Sequence, residues 1–264
     1  MFFRRWHHYV FSGADSKKQP EGSRSLASQV FDIESSAAKN ELDSVEKELR
    51  MGFIRKIYGI ISFQLFLTAI TSIIMALTPS ISGYVLANAW PLYLALSFYF
   101  VLLLALFKYQ KEHPVNMIVL VLWTLTVAYT IGVVCAKFTA IGMGDVVIEA
   151  LFLTLLVFVA LTIFTFQSKI DFSFLSAAIF SSLSILTFFA LINSFLGFST
   201  EKFYALFGAV ICSLFIIYDT FTILERYGYD DYIAATICLY IDVIYLFFKI
   251  LRFLRYVKNP NPAA

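Results

Sequence analysis

Three carboxylates stand where a membrane would make them costly. The stretch "FIIYDTFTIL" sets Asp219 among apolar residues, "ICLYIDVIYLFF" does the same with Asp242, and Glu149 lies near one end of a third apolar run. A charge at the centre of a bilayer costs roughly 2.5–3.5 kcal/mol on insertion scales. Such groups persist when they are paired, face a wet cavity or carry a proton. Glu149, close to the end of its run, is read as an accessory acid, with snorkelling to the interface or a local bond as the plainer alternative. For the two aspartates the chemistry on offer is proton exchange and contact with a hard cation, since Ca2+ takes oxygen ligands.

Helical spacing puts the aspartates at matching depth. The sixth apolar segment ends near Tyr227–Gly228, so Asp219 stands eight residues, about 12 Å, from that end. The seventh starts near Tyr232, so Asp242 stands ten residues, about 15 Å, from its own start. A short turn makes the two segments antiparallel neighbours. Counting back from Asp219 at helical spacing meets Cys212, Gly208 and Ala205; counting along the seventh segment meets Ala235, Cys238, Asp242, Tyr245 and Lys249. Small residues let membrane helices approach closely, so each aspartate is expected on an interior face. Two carboxylates in a low-dielectric site do not both ionise comfortably, and such a pair titrates as a unit. One shared proton would tie the helices together; its loss would leave a repelling anionic pair attractive to Ca2+. The alternative is that each aspartate bonds a Tyr or Ser hydroxyl and only fixes packing. Lys249 is expected to snorkel away from Asp242 rather than pair with it.

The elements that must hold these residues are membrane spans. The chain has 264 residues, 60% hydrophobic and 14% charged, with 29 Phe and a mean hydropathy of +0.79. A soluble domain of this length needs more polar surface, and apolar runs of about 20 residues recur, enough to cross a hydrocarbon core of roughly 30 Å. The fold class is therefore all-α: a polytopic membrane protein with seven transmembrane helices. They are placed near Ile57–Leu77, Leu92–Phe107, Val115–Ala136, Val146–Gln167, Phe172–Leu196, Phe203–Leu224 and Tyr232–Leu254. A longer second helix would begin at Tyr84 and kink at Pro91.

Residues 1–50 read as a polar, disordered cytosolic tail, residues 51–257 as the membrane domain and residues 258–264 as a short tail. Within the first tail, "MFFRRWHHYVF" mixes aromatics and bases that suit a membrane surface, and "LDSVEKELRMGFIRKIYG" suits a short interfacial helix. A cleavable signal peptide is not expected, for want of an apolar core followed by a small-residue cleavage site. Cys135, Cys212 and Cys238 all fall inside apolar runs and read as packing residues. No internal repeat stands out, which leaves an inverted-repeat transporter fold without support.

Lys and Arg in short loops set orientation. Arg50, Arg55 and Lys56 precede the first span and Lys108 and Lys111 follow the second, whereas residues 78–91 carry no charge. That places the amino terminus in the cytosol. Seven crossings then put Lys249, Arg252, Arg255 and Lys258 toward the non-cytosolic side, against the rule. The reading adopted is seven crossings; the alternative is a last segment that does not fully cross.

"YDTFTIL" followed by "YDDYIAATICLYIDVIYLFFKIL" resembles the signature end of the transmembrane Bax inhibitor motif family. "FIRKIYGIISFQLFLTA", "HPVNMIVLVLWTLTVAY" and "IEALFLTLLVFVALTIFTFQSKIDFSFL" are similar to its lifeguard branch, and the four stretches occur in order from about Met51 to Leu254. The resemblance implies a seven-helix bundle with the last helix near its centre. It also implies a protein that suppresses cell death and lowers stored calcium through a pH-sensitive leak. In context, Asp219 and Asp242 match the family's di-aspartyl pH sensor and cation site.

The expected function is thus a pH-sensitive calcium leak channel acting on calcium stores and apoptosis, with Ca2+ as the transported ion and no cofactor. Two other classes remain in view: a membrane scaffold acting through protein partners, and a proton-coupled cation antiporter using the same carboxylates. An intramembrane aspartyl protease fits least, because the motifs around the aspartates match a different family, and the chain is read as no enzyme. Expected partners are the lipid bilayer, Ca2+, protons and membrane proteins of cell-death signalling, with no nucleic acid. The expected location is the endoplasmic reticulum, Golgi or another endomembrane, ahead of the plasma membrane.

Overall fold

The computed structural model describes residues 26–196 and 201–259. The helices are α1 (Leu26–Leu77), α2 (Pro79–Ala87), α3 (Trp90–Tyr109), α4 (Val115–Ala140), α5 (Gly144–Gln167), α6 (Leu175–Leu196), α7 (Glu201–Glu225) and α8 (Tyr232–Lys258), with one 3-10 turn at Phe172–Phe174. Among the described residues there is no strand, and 7 helices are long and apolar enough to cross a membrane. The protein is a polytopic all-α membrane protein. Helices are what a bilayer permits, since every backbone polar group must be satisfied within its own segment. Hydroxyls in the spans follow the same logic: Thr124 donates to Leu120 O, Thr154 to Ala150 O and Thr236 to Tyr232 O.

The helices outrun the apolar runs that announce them. α4 continues to Ala140 and α8 to Lys258, because helical hydrogen bonding carries on through polar residues that an apolar pattern leaves out. Residues 78–91 hold the short helix α2, with Pro79 at its first position. Pro91 does not kink a helix begun at Tyr84; it sits in the first turn of a separate α3, where a missing N–H costs nothing.

The described residues divide into two compact units between Leu49 and Arg50. In the first, residues 26–49 are helical, which corrects the reading of a disordered tail there. They contain no Gly or Pro and many good helix formers, and Phe31, Leu42 and Leu49 are exposed. The "MFFRRWHHYVF" opening, with the rest of residues 1–25, lies outside the described residues, as do residues 260–264.

In the second unit α8 is the most covered span, 56% of its apolar window being buried, with α4 next at 50%. Apolar contact between helices gains little over lipid, so close packing and buried hydrogen bonds hold such a bundle. Trp123 of α4 meets Tyr240 of α8 edge-on, ring centres 5.7 Å apart. Tyr240 shares a 2.7 Å hydrogen bond with Thr68 of α1, and Gln64 donates to Thr124 at 2.7 Å. At the start of α8, Asn116 donates to the Tyr232 hydroxyl (2.9 Å) and Lys111 pairs with Asp231. At its other end Lys258 pairs with Asp145 and Glu149 of α5. The central helix therefore runs the full length of the bundle.

Candidate functional site

α7 and α8 pack against each other through the connection at residues 226–231, and they carry Asp219 and Asp242. The two carboxyl groups lie close enough to influence one another. Both residues are half-buried, and Asp242 Oδ2 is wholly covered with no donor. The nearby Tyr hydroxyls bond elsewhere, Tyr58 with Thr220 and Tyr227 with Cys238. An orphaned buried acceptor costs about 1–3 kcal/mol, a cost that a proton held on a neighbouring carboxyl would remove.

The small residues lie where helical spacing puts them. Ala205, Gly208 and Cys212 of α7 are buried, as is Ala235 of α8. Cys212 lies near Asp242, and Cys238 near both carboxyls. Cys135, Cys212 and Cys238 are free thiols. Tyr245 departs from the expected interior stripe: it is 55% exposed, and Leu246, one helical step round, takes the covered place at 1%. Lys249 crosses α7 at Gly208, where an added Cβ would fall 2.7 Å from its stem, and its Nζ stands 4.5 Å from the Tyr204 ring centre. The lysine thus points away from the acid pair and rests on an aromatic face.

Three supports were not legible in the sequence. Arg50 donates from Nε to Leu224 O (2.8 Å) and from Nη1 to Tyr227 O (2.6 Å), closing the end of α7. Basic groups suit helix C-termini, yet nothing local links Arg50 to a helix 174 residues on. Thr220, next to Asp219 and fully buried, stands 3.4 Å from the Tyr58 hydroxyl. Tyr227, in the connection, donates to Cys238 Sγ at 3.8 Å, and burial pushes its phenol above the usual range, so it stays a donor. Glu149 takes no part in this site: it is exposed on α5, with its Oε1 2.8 Å from Lys258 Nζ.

The family model described as "Inhibitor of apoptosis-promoting Bax1" matches residues 50–259. The chain belongs to the Bax inhibitor family. This Bax inhibitor chain is 40% identical over 219 residues to the "BI1-like protein" of Arabidopsis thaliana, covering 81% of itself and 84% of that relative. It is 38% identical over 221 residues to "Protein LIFEGUARD 4" of the same plant (79% and 86% covered). With the "Golgi anti-apoptotic protein" of Vaccinia virus it shares 33% identity over 212 residues, 80% of this chain and 88% of the viral one. The region matched by the Bax inhibitor model contains both aspartates and begins at the residue that clamps α7.

Proposed function

We propose that this Bax inhibitor family member is a pH-sensitive calcium leak of an endomembrane, lowering stored calcium and thereby suppressing cell death. The observation that carries this reading is the placement of two half-buried aspartates, Asp219 and Asp242, near one another on two packed membrane-spanning helices. While the pair holds a proton, α7 and α8 are bonded across it. As pH rises and the proton leaves, the two charges repel, the contact weakens and the oxygens become ligands for a cation. Protons also displace Ca2+ from the same oxygens, so net flux is set by both effects.

Two carboxyls supply at most four oxygens, and among the described residues no three His, Cys, Asp or Glu side chains gather to hold a metal. Ca2+ takes 6–8 oxygen ligands, so water must complete its shell, which suits passage better than storage. The viral relative's printed name, which joins Golgi to anti-apoptotic action, supports both the endomembrane and the cell-death parts of the proposal.

The test is calcium flux into liposomes across a pH series for the wild type, Asp219→Asn and Asp242→Asn. Asn keeps size and hydrogen-bonding capacity but neither titrates nor binds a cation as an anion. Each variant should fold and lose most of its pH dependence. Wild-type pH profiles in both variants would sink the proposal.

A further inference from the structure

We propose that the slot between α1, α5 and α8 is a binding site for one acyl chain of a bilayer glycerolipid, with the ester carbonyl of that chain accepting a hydrogen bond from Ser72. The slot has a volume of about 670 Å³, within the roughly 300–1,000 Å³ of ligand-binding cavities. Its mouth is formed by Phe66, Ile148 and Phe152, each more than 60% exposed, and its depth by Thr68, Ser72 and Phe247, each at most 5% exposed. The mouth lies within apolar spans and reaches their middle at Phe66, so what surrounds it is lipid tail.

Shape selects the occupant. Along α1 the lining runs from Tyr58 to Ser72, about 21 Å at 1.5 Å per residue. Half of a hydrocarbon core is about 15 Å, so a slot of this length runs past the midplane and takes one extended acyl chain along its whole length. Dividing 670 Å³ by that length leaves a cross-section of about 30 Å², which is narrow for a fused-ring lipid and suited to a single chain.

Chemistry sets the direction of the chain. Ser72 is 2% exposed, and its Oγ lacks a hydrogen-bond partner although the Cys135 thiol lies near it. Ser72 stands five residues, about 7.5 Å, from the Leu77 end of α1, within reach of the ester region of a lipid entering from that side. The tail then runs toward Phe158 and Tyr58, and Tyr58 is the residue that touches Thr220 beside Asp219. This site stands independently of the calcium reading.

The experiment uses the full chain in phosphatidylcholine liposomes, with a diazirine on one acyl chain of the lipid, ultraviolet crosslinking and peptide mass spectrometry. Adducts are expected on Leu65, Leu151 and Phe158, above the level at outward residues such as Phe180 and Ile185. Ala69→Trp and Leu151→Trp each fill the slot and should lose the slot adducts while keeping the outward ones. Even labelling of all lipid-facing residues, or slot labelling unchanged in both variants, would overturn the proposal. So would slot labelling by a diazirine fatty acid that excess phosphatidylcholine fails to compete away, since the ligand would then be a free acid. If both variants fail to fold, the distribution of adducts on the wild type decides alone.

Discussion

Replacing both Asp219 and Asp242 by cysteine should place two thiols where two carboxyls now lie near one another. A short bifunctional reagent is expected to join them at every pH, whereas Asp219→Cys paired with Tyr245→Cys should not react, because Tyr245 faces outward. Failure of the first pair, with neighbouring pairs crosslinking, would show that the helices are rotated away from the arrangement described. The residue types were legible in advance: an aspartate within an apolar run is conspicuous, and two at matching depth on consecutive antiparallel helices are meant to meet. Glu149 takes the plainer of its two readings, an acid bonded to a neighbouring group. Its partner, Lys258, lies 109 residues away, and no local pattern connects them.

At the scale of the helix, Arg50 gives a sharp expectation. Its two bonds to Leu224 O and Tyr227 O finish α7 two turns beyond Asp219. Arg50→Ala should lower stability by about 1–3 kcal/mol, the range of a charge-assisted bond lost from a partly buried carbonyl. Arg50→Lys should recover only part of this, since an ammonium cannot span both carbonyls as a fork does. Thermal unfolding in detergent reads both. A second helix end responds to pH. Asp171 Oδ1 accepts from the Ser173 amide at 2.9 Å, and that bond holds its carboxyl below the usual range. A depressed carboxylate contributes stability that is present above its unfolded value, about 3.9, and is lost as pH falls through the lower folded value. The protection factor of the Ser173 amide against hydrogen exchange, taken relative to the intrinsic rate at each pH, should therefore fall in acid for the wild type. In Asp171→Asn that protection factor should be independent of pH, because an amide oxygen still caps the turn without titrating.

For the whole molecule the open matter is the far end of α8, where four basic residues conflict with the rule that bases stay cytosolic. α8 touches Asn116 and Lys111 at its start and Asp145 and Glu149 at its finish, so it traverses the bundle. The two acids meet Lys258 and reduce the positive charge presented on that side. A glycosylation acceptor introduced after Asn259 should accordingly be modified in the secretory pathway. Persistent absence of modification, with a cytosolic protease trimming that end, would show that the last helix stops short.

The sequence by itself determined the number and order of the spans, the depth of both aspartates and the family. Each of these is local: bilayer thickness sets the length of an apolar run, and 1.5 Å of rise per residue sets depth along it. Which face of each helix turns inward was not settled in the same way. In a soluble helix a polar face marks the outside, but in a span both faces are apolar, and the pattern that would fix rotation is missing. Hence Tyr245 was expected inside and lies outside. The closure of α7 by Arg50, the link between Tyr58 and Thr220, and the slot beside α1 depend on how distant helices are rotated and spaced. Only close packing of side chains from separate helices decides that.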